Sequence, residues 1–257
     1  MKQVTYTIHT NNPLTQDVYR MVLEGDTSAI TAPGQFVNLK LDGLYLRRPI
    51  SVCDWDADGL TLIYKVVGQG TDQLSQMRPG ETLDALAGLG NGYDLAACPN
   101  DPVLVGGGVG VPPLYGLAKW LIRAGKSPSA ILGFNRAEEI FFDMEFAALG
   151  IPVTVTTVDG TAGLRGFVTD ALPEDAYVCA CGPEPMLKAV HRLASGGQFS
   201  FEARMGCGFG ACMGCTMPTA DGYKRVCKDG PVLGYEEIKW LFAIILVGAE
   251  TELRIGN

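Results

Sequence analysis

The stretch VLVGGGVGVPPLYGLAKWLIRAG, Val103–Gly125, divides the chain into two rhythms. Its opening apolar run reads as a short buried strand. Gly106, Gly107, Gly108 and Gly110 then make a tight turn, and Pro112 and Pro113 open an apolar-periodic segment suited to a helix. A strand–glycine–helix unit lets a dinucleotide phosphate approach a helix N-terminus with no side chain in the way. It is not the G-x-G-x-x-G fingerprint, because Pro113 stands where the third glycine belongs, and such a turn serves tight packing equally well.

Downstream, the apolar runs SAILGF, IPVTVTTV and AYVCACG alternate with the helix-like EIFFDMEFAAL and PEPMLKAVHRLA. This alternation predicts a parallel sheet with helices on both faces. ACGPEPM, Ala180–Met186, is a second strand end that opens a helix, with Pro185 in its first turn. Both Gly/Pro strand ends then lie at the carboxyl edge of one sheet, where ligands bind.

Upstream the segments are shorter. QVTYTIHT, VYRMVLEG, QFVNLKL, ISVCDW and LTLIYKVVG alternate or run apolar between turn residues, and DADG after Trp55 is a hairpin turn. So many short strands predict an antiparallel barrel or sandwich. Within them, LRRPISV (Leu46–Val52) offers Arg48 to a pyrophosphate and Ser51 to a flavin edge. The Gly68/Gly70 turn of YKVVGQGT frees backbone amides for phosphate oxygens. The same residues read equally well as a basic strand end and an ordinary turn.

RMGCGFGACMGCTMPTADGYKRVC, Arg204–Cys227, holds four of the eight cysteines, spaced Cys207-x4-Cys212-x2-Cys215-x11-Cys227. Zinc sites pair their ligands in two close knuckles, and only Cys212 and Cys215 form one here. C-x4-C-x2-C with a distant fourth cysteine is the plant-type [2Fe–2S] order. The glycines between them leave room for backbone N–H groups to approach sulfur. A zinc-stabilised module without redox chemistry is the other reading.

With 257 residues, 47% of them apolar and 19% charged, the chain can bury a sizeable core. Its net charge of −8 argues against nucleic acid and against an anionic membrane surface. MKQVTYTIHT has no apolar stretch and predicts no secretory signal, so a cytoplasmic setting is expected. WLFAIILV, Trp240–Val247, is too short for a span of about 20 residues and reads as a buried strand or docking edge. Cys53, Cys98 and Cys179 read as buried small hydrophobes, and His9 and His191 as surface or structural residues.

RPIS, GQGT, GGGVGVPP, CGPEPM and the four-cysteine loop follow one another in the order of the ferredoxin–NADP reductase superfamily. With the C-terminal cysteines, the chain resembles the electron-transfer subunits of type B (NAD-dependent) dihydroorotate dehydrogenases over roughly residues 3–240. The resemblance implies an oxidoreductase of β-barrel plus α/β class. An antiparallel FAD-binding barrel would occupy 1–98, a parallel-sheet NAD-binding domain 99–199, and a small [2Fe–2S] domain 200–240. The extension at 241–257 has no counterpart in that family.

It further implies that Arg48, Pro49, Ile50 and Ser51 hold FAD, with Ile63, Tyr64 and Lys65 lining it and Gly70 and Thr71 on its pyrophosphate. NAD would meet Gly107, Gly108 and Gly110, with Cys181 and Gly182 beside the nicotinamide. Cys207, Cys212, Cys215 and Cys227 would ligate the cluster, and no side chain would act as acid or base. The implied partner is an FMN-containing dihydroorotate dehydrogenase catalytic subunit, two of each chain forming a heterotetramer that serves pyrimidine biosynthesis. The small FAD/[2Fe–2S] subunit of a ferredoxin–NADP transhydrogenase or sulfide dehydrogenase shares this layout but typically replaces one cluster cysteine by an acid. Glu138 and Glu139 in GFNRAEEIFF favour NAD over NADP. Met205–Pro218 carries no charge, so this loop is expected at the contact with the catalytic subunit.

Overall fold

The computed structural model describes residues 1–240. The 241–257 extension, and with it all of the WLFAIILV run after Trp240, lies outside the described residues. Six strands, β1 (Lys2–Pro13), β2 (Val18–Glu24), β3 (Phe36–Leu39), β4 (Arg48–Trp55), β5 (Gly59–Lys65) and β6 (Thr82–Leu89), close an antiparallel barrel in the order β1-β2-β5-β4-β3-β6. Alternation drives it: Val4, Tyr6 and Ile8 of β1 and Leu83, Ala85 and Ala87 of β6 point inward, while the alternate residues of β1 face solvent and those between the inward set of β6 are half-buried on the outer face. The DADG hairpin forms as expected, with Asp56 Oδ1 accepting the N–H groups of Asp58 and Gly59. Strand β6 is absent from the sequence reading, because its inward set is partly alanine and carries a weak apolar signal.

The Gly68/Gly70 segment is not a simple turn. It is the entry to α1 (Gln69–Gln76), whose first turn is closed by Thr71. The Thr71 hydroxyl accepts the N–H groups of Val67 and Gly68 and donates to the Gly68 carbonyl. Buried Leu74 anchors the helix.

The second unit contains β7 (Val103–Gly107), α2 (Val111–Arg123), β8 (Ser129–Phe134), α3 (Asp143–Ala148), β9 (Val153–Thr157), β10 (Leu164–Arg165), β11 (Tyr177–Cys181), α4 (Glu184–Leu193) and β12 (Gly196–Ser200). Its sheet runs β10-β9-β8-β7-β11-β12, all parallel. Strand β7 is buried at every residue, which is why it reads as an unbroken apolar run. Leu114, Leu117 and Leu121 of α2 cover one face, and Leu187 and Val190 of α4 the other. The helical reading of EIFFDMEFAAL is too long: α3 begins only at Asp143. Phe141 and Phe142 turn into the core beforehand, with Phe142 in the left-handed region (φ 68°) and its ring edge-on to Tyr115.

After β12 come the hairpin β13 (Thr216–Thr219) and β14 (Gly222–Arg225), and then β15 (Val232–Gly234), which adds antiparallel to β12 at the edge of the sheet. Cys215, Val226, Cys227 and Leu233 share a core with Phe36 and Leu89 on the outside of the barrel and with Val178 and Phe199 of the sheet. Asn91, just after the barrel, stitches on the same segment: its side chain exchanges hydrogen bonds with the N–H and carbonyl of Val232. Among the described residues no helix is long and apolar enough to cross a membrane.

Helix α2 also crosses β4. A Cβ on Gly116 would lie 2.5 Å from the Cys53 carbonyl oxygen, Trp120 stacks on Trp55 at 5.4 Å, and Lys119 pairs with Asp54. Gly116→Ala is therefore expected to force α2 off the barrel at a cost of about 1–3 kcal/mol. Urea unfolding should show that loss as a lower midpoint.

Candidate functional site

The β4–β5 ladder runs only from Trp55↔Leu60 to Val52↔Leu62. Arg48–Ser51 stay paired with β3, and Ile63–Lys65 with β2, so the two strands splay at their far ends. This opening holds two of the residue groups assigned to FAD. The third meets it from the side: a Cβ on Gly70 would overlap the Arg48 guanidinium, so the Arg48 side chain lies directly on the first turn of α1. A cation over a helix N-terminus is chemistry for a phosphate. Two members contribute differently from the rest. Tyr64 is buried inside the barrel, its hydroxyl donating to Asn11 Oδ1, and Lys65 Nζ pairs with Asp17 at 3.0 Å. At this register Tyr64 faces the opening through its main chain.

The nucleotide edge faces the same strands. The turn Gly108–Gly110 packs between the end of β11 and β5. A Cβ on Gly110 would overlap the Cys181 carbonyl, while one on Gly182 would lie 3.1 Å from the Gly107 nitrogen. Gly107, Gly110, Cys181 and Gly182 thus form one contact between two strand ends. Gly108, at φ 52°, has open space where a side chain would stand. Burial pushes the Cys181 thiol up to about 12, with the charge of Glu202 adding to it. Glu202 reaches solvent, yet the protein packed around it raises its carboxyl above the usual range. The sequence reading passed over Glu202. Its only signal was its place just beyond an apolar strand, and the proximity to Cys181 comes from the sheet.

The four cysteines of the loop fall into two pairs. The N–H of Cys212 donates to Cys207 Sγ at 3.4 Å, and the N–H of Cys207 donates to Cys212 Sγ at 3.4 Å. Ala211 N–H adds a third bond, to Cys207 Sγ, at 3.2 Å. Glycines permit this wrapping: a Cβ on Gly206 would lie 3.2 Å from Cys212 Sγ. The other pair is built by the hairpin. Thr216↔Arg225 is the last register pair of β13 and β14, so Cys215 and Cys227 emerge together, Cys227 N–H donating to Cys215 Sγ at 3.4 Å. Arg225 braces the arrangement, with two bonds to the Asp229 carboxylate and one to the Gly210 carbonyl at 2.9 Å.

Ionisation differs between the pairs. Burial resists it at Cys207, but the N–H groups of Phe209, Cys212 and Ala211 and the Cys212 thiol outweigh burial and hold the pKa at about 6. At Cys227 burial, the hydrogen bond with Cys215 and the charge of Cys215 push the thiol up to about 12. A cation placed among sulfurs so crowded favours the thiolate form. Sulfurs paired two and two suit a binuclear centre, in which each iron takes two thiolates, better than one tetrahedral zinc.

The bystanders are placed as read. Cys53, Cys98 and Cys179 are buried, and Cys98 Sγ lies 3.7 Å from Cys179 Sγ. His9 is exposed beside Glu24, and His191 stacks on Tyr235 at 4.1 Å.

Comparison with known proteins bears on this arrangement. Residues 202–239 match the family model described as the iron-sulfur cluster binding domain of dihydroorotate dehydrogenase B. The chain is 44% identical to the dihydroorotate dehydrogenase B (NAD(+)) electron transfer subunit of Geobacillus sp. (strain WCH70), over 93% of this chain and 99% of that protein. It is 41% identical to the same subunit of Fusobacterium nucleatum, over 90% of this chain and 96% of the relative. Among solved structures, that of an NADH-dependent reduced ferredoxin–NADP oxidoreductase, described for flavin-based electron bifurcation, superposes with a TM-score of 0.82 at 30% identity, covering 91% of this chain and 90% of its own. With 44% identity over essentially the full length of a relative, and the paired cysteines within the matched segment, the chain belongs to the family of electron transfer subunits of NAD(+)-dependent dihydroorotate dehydrogenase B.

Proposed function

We infer that the chain passes electrons from a dihydroorotate-oxidising catalytic subunit to NAD⁺, through a [2Fe–2S] cluster held by Cys207, Cys212, Cys215 and Cys227 and an FAD held by the barrel. The observation that carries this reading is the close setting of three features in one body: the splayed β4–β5 opening, the Gly108 turn and the paired cysteines on the outer face of the same barrel. A cluster carries single electrons and a flavin exchanges one or two, so the pair joins one-electron transfer to hydride transfer.

The chain's own residues bind and orient. Arg48 with Gly70 and Thr71 would neutralise the FAD pyrophosphate, and Pro49, Ile50, Ser51 and the edge Ile63, Tyr64 and Lys65 would meet its ring system. Gly107, Gly108 and Gly110 would admit the NAD phosphates, with Cys181 and Gly182 beside the nicotinamide. The units follow as 1–98 for FAD, 99–199 for NAD and 200–240 for the cluster. The boundary at 200 is supported by the end of β12 at Ser200. Eight free cysteines suit a reducing, cytoplasmic compartment. The transhydrogenase reading shares the layout, but it is favoured by 30% identity against 44% and lacks support from the cysteine set, which is complete here.

The catalytic partner, an FMN-containing subunit in a heterotetramer of two of each chain, would sit on the cluster face. Support comes from Phe209 and Met213 of the uncharged loop and from Tyr45 and Leu46 nearby, all exposed. The two segments adjoin, because Arg47 donates to the Asn38 carbonyl and Asn38 Nδ2 donates to the Cys207 carbonyl. NAD is favoured over NADP by Glu139, whose carboxylate accepts the Asn135 amide and pairs with Arg136 at 3.2 Å, occupying the one base of that stretch.

Three outcomes are expected. Cys215→Ser should lose iron and inorganic sulfide and all dihydroorotate-linked reduction of NAD⁺, while NADH still bleaches the bound flavin; full coupling in that variant would remove Cys215 from the ligand set. kcat/KM for NADH should exceed that for NADPH by about tenfold or more, and equal values would contradict the role given to Glu139. Met213→Glu should weaken the complex with the catalytic subunit by about tenfold, equivalent to about 1.4 kcal/mol, with iron content unchanged. Analytical ultracentrifugation of the complex reads both that loss and the stoichiometry.

A further inference from the structure

Strand β3 presents two different faces. Val37 and Leu39 fill the barrel, whereas Phe36 packs outward in the core shared with Cys215 and Cys227. Asn38 stands on that outward face and is only 1% exposed. Its Nδ2 donates to the Cys207 carbonyl at 3.4 Å, and its Oδ1 is buried without a hydrogen-bond partner. A half-satisfied buried amide is costly, and an apolar residue of the same shape would avoid the cost. The loop rests directly on this amide. A Cβ on Gly208 would overlap Asn38 Nδ2, and Gly208 adopts φ 79°, which a glycine tolerates without strain.

We propose that Asn38 is a positioning residue for the iron–sulfur cluster: from the barrel it holds the Cys207–Gly208 peptide, and so sets the N–H···S bonds around Cys207 and the potential at which the cluster exchanges electrons. In a trans peptide the carbonyl and the N–H point in opposite directions. Turning the Cys207 carbonyl down onto Asn38 therefore turns the Gly208 N–H away from the barrel. It also fixes where the chain leaves toward Phe209, Ala211 and Cys212, whose N–H groups reach Cys207 Sγ. Such donors stabilise the added negative charge of a reduced cluster. Asn38 is also in register with Pro49, within the Arg48–Ser51 segment, so one residue joins the flavin strand to the cluster loop. The proposal rests on the reading of the four cysteines as cluster ligands.

The test uses the full-length chain loaded with FAD and cluster. Asn38→Leu keeps the shape and removes the amide; Gly208→Ala drives the loop off the same amide from the other side. Both variants are expected to retain iron and sulfide and to be reduced by NADH at the flavin at the wild-type rate. The EPR spectrum of the reduced cluster should change in both, its potential should fall, and iron loss to a chelator should run about fivefold faster, the weight of one lost hydrogen bond. A wild-type spectrum and potential in both variants would overturn the role of Asn38. If Asn38→Leu does not fold, the spectrum and potential of Gly208→Ala decide alone. Wild-type protein prepared without air that holds no iron and sulfide would overturn the ligand reading itself, and with it this one.

Discussion

The closeness of α2 to β4 makes one body of two units. Gly116 sits on the Cys53 carbonyl at a distance no side chain allows, and the Trp55–Trp120 stack and the Lys119–Asp54 pair flank it. Cys53 and Ile63 of the barrel are thereby buried among Val111, Leu114 and Leu117 of α2 in a single core. An enzyme that moves a hydride between two bound ring systems must hold them within contact of each other, and reacting groups displaced by about 1 Å lose much of their rate. A fused core meets that constraint, where a hinged linker would not. The splayed ends of β4 and β5 and the open space over Gly108 face each other because α2, which follows that turn directly, is fixed across β4.

The C-terminal segment obeys a related constraint. From Phe201 to Trp240 it is too short to build a core, so it borrows two: the barrel's outer face at Phe36 and Leu89, and the sheet edge, where β15 pairs with β12. Borrowing sets its position. A segment that needs both surfaces can sit only where they meet, and that places the cysteine loop one strand away from the Arg48–Ser51 opening. Met205–Pro218 carries no charged residue on an otherwise acidic chain.

Electrostatics divides the cysteines by environment rather than by spacing. Cys207 lies among N–H donors that favour its thiolate, whereas Cys227 is buried against Cys215 and resists ionisation. Cys53 and Cys181 are held neutral by burial, and Cys179 by its hydrogen bond with Cys98 together with burial. Cys181 differs from Cys53 and Cys179 in its place at the carboxyl end of β11, where its carbonyl meets Gly110.

Much of this was legible in the residues alone. Local chemistry determined the strand–glycine–helix unit at Val103–Gly125, the barrel strands with strong alternation, and the C-x4-C-x2-C order, because each depends on neighbours within a few positions. Weaker local signals were lost: the alanine-bearing β6, the helix whose first turn Thr71 closes, and the late start of α3 at Asp143, before which two phenylalanines are pulled into a core made by distant residues. Only the tertiary structure decided that β4 and β5 part company at Val52↔Leu62, that Tyr64 turns inward while its neighbours do not, and that Asn38, about 170 residues from the cysteine loop in sequence, carries it. Those facts arise from barrel closure and from the crossing of α2 over β4. Closure and crossing are long-range packing solutions that no stretch of sequence specifies by itself.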